Sequence, residues 1–373
     1  MKHRLIAIHL PQFHPIPEND EWWGKGFTEW RNVAQAKPRF LGHYQPHLPA
    51  DLGFYDLRIP EVRIEQAKMA QENGIYGFCF YHYWFNGKLL LERPLEDMLN
   101  SREPNFPFMI CWANENWTKV WEGKEQEVLI EQKYSEEDDL NHIQYLMKYF
   151  RDPRYIRVDN KPVVSIYRTH VMPDIERTIR IWKAEALKEG IELYVCRFES
   201  YGRAGKKFIA EGMDAAIDFE PLGGGREEYN KCYKYRHFLK RGINKASKFL
   251  LRRNIFPGII ENYKKYVYFR MKQEMPGYKQ FPCVTPMWDN SSRRKTNDFF
   301  AFRGNTPELF GMWLQNVVNK FIPYSDDENF IFINAWNEWS EGNHLEPCMR
   351  WGDRYLREIK KIHNKGISDE YLK

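Results

Sequence analysis

Eight short apolar runs, rich in β-branched and aromatic residues, recur along this sequence of 373 residues with helical patterns between most of them. The runs are continuous rather than alternating, which is typical of strands covered on both faces. Strands that alternate with helices eight times predict an α/β fold of the (β/α)₈ barrel type, forming one domain over residues 1–373. The predicted strands are residues 4–10, 76–83, 107–112, 162–167, 192–198, 214–219, 282–287 and 329–335.

Helix signals between the runs support this alternation. Pro60 begins a helical pattern that Gly74 ends, and Thr306-Pro307 begins another. The alternative is an open doubly wound sheet, which is weakened because no glycine-rich phosphate loop follows the first run. The predicted helices are residues 60–73, 136–150, 174–189, 203–211, 306–320 and 352–363.

Two segments interrupt the alternation. Residues 11–59 form a long loop after the first strand, rich in proline and aromatic residues, and loops of this length are usually functional. Residues 223–280, between the sixth and seventh strands, carry nine lysines and arginines between positions 231 and 253. We interpret this segment as a basic helical insertion with a solvated face. The alternative is peripheral contact with an anionic polysaccharide or a lipid-linked glycan at a membrane surface.

The composition restricts the class of function. Aromatic residues make up 16% of the chain, and such rings either fill a core or stack on the C–H faces of sugars. A scattered net charge of +5 does not indicate nucleic-acid binding. The six cysteines form no CxxC pair, so neither a zinc site nor a disulfide framework is indicated, and no cofactor is predicted.

Targeting signals are not evident in the sequence. No apolar run approaches 18 residues, and Pro11 ends the first apolar stretch too early for a signal peptide. The sequence as it stands therefore predicts a cytoplasmic protein, and a periplasmic or secreted one only if a leader was removed. The oligomeric state is left open.

Polar and aromatic residues are concentrated after the predicted strands, where a barrel builds its active site. Glu338 and Glu341 follow the eighth strand three residues apart, and glycoside hydrolysis requires two carboxyl groups beside the scissile bond. The alternative is that one of them is a structural glutamate at the rim. The candidate substrate-binding residues are His9, Gln12, His14, Tyr81, His82, Trp84, Trp112, Asn114, Glu115, Trp117, Trp288, Asp289, Trp336 and Asn337.

Other candidates are less specific. The imidazoles of His9, His14 and His82 raise the possibility of a metal, but their spacing matches no common ligand motif. We therefore expect no metal and interpret them as hydrogen-bonding residues. Glu199 and Glu220 are further carboxylate candidates after the fifth and sixth strands.

With these residues identified, the chain resembles WbsX-type proteins, which contain a domain similar to glycoside hydrolase family 99. The resemblance covers nearly the whole chain. The segments that carry it are His9-Leu10-Pro11-Gln12-Phe13-His14-Pro15, residues 23–30, residues 77–85, Trp112-Ala113-Asn114-Glu115-Asn116-Trp117, residues 335–342 and Glu346-Pro347.

The resemblance implies a mechanism for the segment Asn337-Glu338-Trp339-Ser340-Glu341-Gly342. Glu338 matches the base that deprotonates the substrate 2-hydroxyl, which then attacks the anomeric carbon to give a 1,2-anhydro sugar. Glu341 matches the acid that protonates the leaving group and later deprotonates water, with retention overall. Such chemistry needs a 2-hydroxyl trans to the leaving group, as in α-mannose or α-rhamnose. The segment from His9 to His14 departs from the mannosidases, so their substrate-binding residues cannot be transferred.

Three functions remain open at this point. The first is a retaining glycoside hydrolase that acts on an α-linked, manno- or rhamno-configured bacterial polysaccharide. The second is a glycosyltransferase or transglycosylase in the biosynthesis of O-antigen or another surface polysaccharide. The third is a carbohydrate-binding barrel without catalysis, which the presence of both Glu338 and Glu341 disfavours.

Overall fold

Eight parallel strands form the barrel sheet in the computed structural model of this chain. The structure describes residues 3–119, 124–232, 257–296 and 298–371, together with residues 239, 242, 243, 245 and 247. The strands are β1 (Arg4–His9), β2 (Gly77–Phe85), β3 (Phe108–Trp112), β4 (Lys161–Ile166), β5 (Tyr194–Glu199), β6 (Ala215–Asp218), β7 (Gln280–Phe281 and Cys283–Val284) and β8 (Phe330–Ile333).

Each strand pairs in parallel with its neighbours around the barrel. β1 pairs with β8 and with β2, and the ladder continues through β3, β4, β5 and β6. The first piece of β7 pairs with β6 and its second piece pairs with β8. The predicted (β/α)₈ barrel is therefore confirmed, and every residue of β2 and β3 is buried as the continuous apolar runs indicated.

Strand β7 differs from the prediction of residues 282–287. Pro282, which has no N–H to donate, separates its two pieces, but the Pro282 carbonyl still accepts the Phe332 N–H at 2.8 Å. The strand ends at Val284, since the hydroxyl of Tyr263 donates to the next carbonyl, that of Thr285, at 2.6 Å. The predicted strand was therefore placed too far along the chain.

Helices follow most strands and cover the outside of the barrel. The helix over 93–101, between β2 and β3, was not predicted. The described helices are α1 (Pro17–Trp23), α2 (Glu29–Gln35), α3 (Pro60–Glu72), α4 (Arg93–Ser101), α5 (Glu136–Phe150), α6 (Ile175–Lys188), α7 (Gly224–Cys232), α8 (Tyr263–Lys272), α9 (Pro307–Lys320) and α10 (Arg354–Tyr371).

The predicted helix over residues 203–211 is wrong. The connection between β5 and β6 contains only a single 3₁₀ turn, Lys206–Phe208. The guanidinium group of Arg197 donates to the carbonyl oxygens of Arg203 and Phe208, at 2.5 and 2.6 Å. These carbonyls are bound by a strand side chain rather than by helical N–H groups. Gly205 has a φ of 118°, which a helix does not allow.

Smaller elements surround the mouth of the barrel. An antiparallel hairpin of Trp117–Lys119 and Lys124–Ile130 follows β3. Ile259–Asn262, within the insertion, pairs in parallel with Phe300–Arg303. Helices α7 and α8 confirm that the insertion is partly helical, whereas most of its basic residues between 233 and 256 lie outside the described residues. Across the described chain, no helix combines the length and apolar character needed to span a membrane.

Candidate active site

The chain reverses direction after β8 and brings its two glutamates to one side. Asn337–Glu338 pairs antiparallel with Asn343–His344, and Trp339–Glu341 forms a single 3₁₀ turn between these short strands. Gly342 ends the turn with a φ of 52°, in the left-handed region that favours glycine. Both glutamates line the same cleft as a result.

One guanidinium group holds both glutamates. Arg293 donates from Nη2 to Glu338 Oε2 at 2.8 Å and from Nη1 to Glu341 Oε1 at 2.7 Å. The same Nη2 atom lies 3.1 Å from Glu29 Oε1, and Nε donates to Ser340 Oγ at 2.7 Å. Arg293 comes from a turn after β7 and Glu29 from α2 in the long loop. Three carboxyl groups from two separate parts of the chain therefore converge on one cation.

This convergence shifts the pKa of each carboxyl group. Burial raises the pKa of Glu338 to about 8, although Arg293 opposes the shift. Burial also raises the pKa of Glu341 and of Glu29, again with Arg293 opposing it. Three carboxylates cannot all be neutralised by one guanidinium group, so the cluster retains a proton near neutral pH. A protonated carboxyl beside an ionised one is the arrangement that general acid–base catalysis requires.

The cleft that these glutamates line has a volume of about 720 Å³ and opens at the carboxyl ends of the strands. Eight of the predicted site residues line it, and their roles toward a substrate stay predictions. They are Gln12, Tyr81, Asn114, Glu115, Trp117, Trp288, Glu338 and Glu341.

Several cleft residues were missed in the sequence. Tyr83 could have been found, because it lies two residues after Tyr81 on the same face of β2. Glu29 lies behind the cleft and within the segment 23–30 that carries the family resemblance, so a signal existed there. Arg293 comes from irregular chain that no motif marks. The lining residues that were missed include Trp23, Tyr83, Tyr134, Tyr167, Arg168, Tyr201 and Arg293.

Aromatic rings and a second ion pair form the remaining walls. The ring of Trp117 packs edge to face against Tyr83 and against Trp22, with distances between ring centres of 5.2 and 5.8 Å. Arg168 forms an ion pair with Glu115 and lies 4.3 Å from the centre of the Tyr201 ring. The cleft thus presents flat apolar faces next to charged hydrogen-bonding groups, as carbohydrate recognition requires.

Two predicted binding residues, Asn114 and Asn337, form hydrogen bonds to the backbone with their side-chain amides. The amide oxygen of Asn337 accepts the Leu10 N–H at 2.7 Å, and its NH₂ group donates to the Leu10 carbonyl at 3.0 Å. Asn114 forms the same pair of bonds with the backbone of Arg168, at 2.7 and 2.9 Å. Asn337 is fully buried and does not line the cleft, so its predicted contact with substrate is corrected to a contact that joins two strand ends.

The predictions for His82, Trp84 and Trp112 are also corrected. Successive side chains on a strand point to opposite faces, so His82 and Trp84 point away from the cleft that Tyr81 lines. His82 lies 3.1 Å from the Nε2 atom of His142, and burial lowers the pKa of His82 to about 3. Trp112 packs with His142 in the same buried group of rings.

His9, His14, Trp336 and Asp289 likewise lie outside the main cleft. His9 contacts the Gln66 side chain at 3.2 Å, and burial lowers the pKa of His9 to about 3. Trp336 is fully buried, and His14 is buried too. Asp289 accepts a 2.5 Å hydrogen bond from His43 beside a separate pocket of about 50 Å³. Over the described residues, no group of three histidine, cysteine or acidic side chains is arranged to hold a metal ion.

The further carboxylate candidates belong to buried networks. Glu199 accepts hydrogen bonds from Tyr278 at 2.8 Å and from the Gly205 N–H at 2.9 Å. Glu220 forms an ion pair with Arg270 at 2.7 Å. Neither carboxylate lines the cleft, so both predictions are corrected to structural roles.

This chain resembles a known protein family in sequence and solved structures in fold. A family model described as "Glycosyltransferase WbsX" matches residues 5–359. The chain belongs to the WbsX family. Two relatives named "Uncharacterized protein WxcX", from two strains of Xanthomonas campestris pv. campestris, are 40% identical over 354 residues, which is 94% of this chain. That region is 48% of each relative, so the chain spans about half the length of the curated relatives it matches.

The fold of this WbsX-family chain is shared with solved glycoside hydrolase structures. A GH99 endo-α-mannosidase from Bacteroides thetaiotaomicron superimposes with a TM-score of 0.58 at 12% identity, covering 100% of this chain and 99% of the other. A structure described as a glycoside hydrolase-like protein gives 0.53 at 14% identity, covering 97% of this chain and 94% of the other. At such low identity the likeness establishes the barrel fold, and the chemistry must be argued from the site.

Proposed function

We propose that this WbsX-family chain is a retaining glycoside hydrolase that acts on an α-linked, manno- or rhamno-configured bacterial polysaccharide. The observation that carries the proposal is the pair Glu338 and Glu341, joined by Arg293 at the wall of an aromatic cleft. A sugar of manno or rhamno configuration supplies the 2-hydroxyl trans to the leaving group that the proposed chemistry requires, and the solved neighbours of this fold include an endo-α-mannosidase.

The proposed reaction has two steps. Glu338 removes the proton of the 2-hydroxyl, whose oxygen bonds to the anomeric carbon as the glycosidic bond breaks, and Glu341 gives its proton to the departing oxygen. Water then opens the 1,2-anhydro sugar at the anomeric carbon, losing a proton to Glu341, while Glu338 returns its proton to the 2-oxygen. Two displacements at one carbon give retention.

The proposed reaction requires one particular distribution of protons over Glu338 and Glu341. Burial raises the pKa of both Glu338 and Glu341, and one guanidinium group joins them, so the two carboxyl groups titrate as a coupled pair that shares a proton near neutral pH. The proposed roles require an ionised Glu338 and a protonated Glu341 in the complex. Substrate binding must therefore place the shared proton on Glu341, which contacts the same guanidinium group as Glu338.

The test is a screen of α-linked mannans, rhamnans and other bacterial polysaccharides for release of reducing ends without added nucleotide sugar. We expect cleavage, with NMR of the first product showing the anomeric configuration of the substrate. A substrate methylated on the 2-oxygen is the matched control, and it should resist cleavage because its 2-oxygen has no proton to lose. An inverted product, or ready cleavage of the methylated substrate, would contradict the mechanism.

The family description favours a second candidate, transfer of a sugar in surface-polysaccharide synthesis. A transferase would give no reducing ends in the screen and would extend an acceptor glycan only when an activated sugar donor is added. Measuring both reactions on the same preparation separates the two functions.

A further inference from the structure

Arg293 is distinctive among the cleft residues because it contacts both glutamates through different nitrogen atoms. Its Nη1 and Nη2 atoms each take one carboxylate oxygen, at 2.7 and 2.8 Å, which fixes the relative orientation of Glu341 and Glu338. Within the described residues, no hydrogen bond reaches the other oxygen of either carboxylate. Those two oxygens are therefore available to a ligand in the cleft.

Glu29, at the start of α2, contacts the same guanidinium group. Its carboxyl group is fully buried, and it contacts Nη2 at 3.1 Å. Ser340, which lies between the two glutamates, accepts from Nε at 2.7 Å. The guanidinium group is thus held at all three of its nitrogen atoms, and a lysine could not reproduce these contacts from one nitrogen.

We propose that Arg293 is a positioning residue that sets the orientation and the ionisation of Glu338 and Glu341, and that Glu29 tunes Arg293 from behind the cleft. This inference deepens the proposed function and rests on it for its catalytic meaning. The positive charge of Arg293 stabilises the ionised form of either glutamate. Glu29 weakens this stabilisation, because its carboxyl group interacts with the same cation.

Other charged and titratable groups around the pair must be separated from this effect. Arg294 lies next to Arg293 in the same turn, and the remaining groups come from β2, from the end of β3 and from the loop after β5. They are Tyr81, Tyr83, Glu115 and Tyr201.

The test is a pH titration of the full chain labelled with ¹³C at the glutamate carboxyl groups, with signals assigned from Glu338→Gln and Glu341→Gln. We expect Arg293→Gln to raise the apparent pKa values of the pair by at least about one unit, since the opposing cation is lost. We expect Glu29→Gln to lower them, since the competing carboxylate is lost. Arg293→Lys should lie between wild type and Arg293→Gln.

The opposite directions exclude a purely structural effect. Loosening of the fold would admit water and move the pKa of each glutamate down toward its ordinary value in both variants. Arg168→Gln is the matched control, because it removes an equal charge from the other wall, and it should shift Glu115 rather than the pair. A lowered or unchanged pKa of the pair in Arg293→Gln would overturn the inference. The titration needs no substrate, so its failure is distinct from a failure to find hydrolysis.

Discussion

Two walls of the cleft are built on the same plan from Asn-Glu pairs. On one wall Asn337 hydrogen-bonds to the backbone of Leu10, and Glu338 contacts Arg293.

On the other wall Asn114 hydrogen-bonds to the backbone of Arg168, and Glu115 forms an ion pair with the Arg168 side chain. In both places the asparagine fixes two neighbouring strand ends, so the glutamate that follows it is held in a defined place.

The two walls differ in charge balance and in exposure. Glu115 and Arg168 form a one-to-one pair whose side chains are 34% and 25% exposed. Glu338 is 7% exposed, and its arginine is shared with two more carboxyl groups. Water can screen the first pair, whereas the second cluster has an excess of buried carboxyl groups and must hold a proton. The same motif is therefore suited to binding on one wall and to proton transfer on the other.

The largest expected difference between the walls is in turnover. Glu338→Gln and Glu341→Gln should each lower kcat by about 10²–10⁴-fold or more, as expected when a general acid or base is lost. Glu115→Gln should mainly raise KM, because it removes a binding contact made equally in the ground and transition states. Steady-state kinetics on a substrate from the screen would measure both, with circular dichroism to verify folding. A Glu115→Gln variant as inactive as Glu338→Gln would remove the distinction between the walls.

A smaller difference is expected in stability when the asparagines are replaced. Asn337→Ala leaves a buried N–H and a buried carbonyl at Leu10 without partners, which should cost about 2–4 kcal/mol in the free energy of unfolding. Asn114 is equally buried, but its backbone partner Arg168 is partly exposed whereas Leu10 is buried, so water can replace the lost amide and Asn114→Ala should cost about 1 kcal/mol. Urea unfolding would measure both values.

Asn337→Asp is the matched variant for this comparison, because it keeps the acceptor for the Leu10 N–H but loses the donor to the Leu10 carbonyl. It should be destabilised in addition by a buried charge. Equal losses for Asn337→Ala and Asn114→Ala would mean that water reaches both backbone partners equally, although Leu10 is buried and Arg168 is partly exposed.

The sequence predicted the barrel because its strands are covered on both faces and appear as continuous apolar runs. The same continuity concealed which side chains face the cleft. Along β2 every residue is buried, so no polar alternation separates Tyr81 and Tyr83, which line the cleft, from His82 and Trp84, which pack outside it. Periodicity reports orientation only where one face of a strand is polar.

The proposed catalytic pair could be identified in the sequence because both glutamates lie in one short segment after the last strand. The arginine that joins them was not, since Arg293 is 45 residues from Glu338 and 264 residues from Glu29 along the chain. Such contacts depend on how loops fold over the mouth of the barrel, and no local pattern encodes them. The helix predicted over 203–211 was wrong for a more local reason, because Arg197 on β5 binds carbonyl groups that lie only 6 and 11 residues further along the chain.

The smallest expected difference is in the pH dependence of stability. The pKa of Glu338 is raised from its ordinary value to about 8 in the folded chain, so the folded state holds this proton more tightly than the unfolded state. The resulting stabilisation is fully present below about pH 4.5 and is lost as the pH rises through about 8. Glu338→Gln cannot ionise, and its free energy of unfolding relative to wild type should increase between pH 5 and pH 8.

The slope of that increase has an upper limit of about 1.4 kcal/mol per pH unit, the value for one proton, and coupling to Glu341 should keep it lower. Glu115→Gln is the control. Burial also raises the pKa of Glu115, but Arg168 opposes the shift one-to-one at a more exposed site, so the slope should be shallower. Urea unfolding of wild type and both variants at pH 5, 6, 7 and 8 would measure it. A flat difference for Glu338→Gln would mean that Arg293 neutralises this wall as fully as Arg168 neutralises the other, and the excess of buried carboxyl groups would then hold no proton for catalysis.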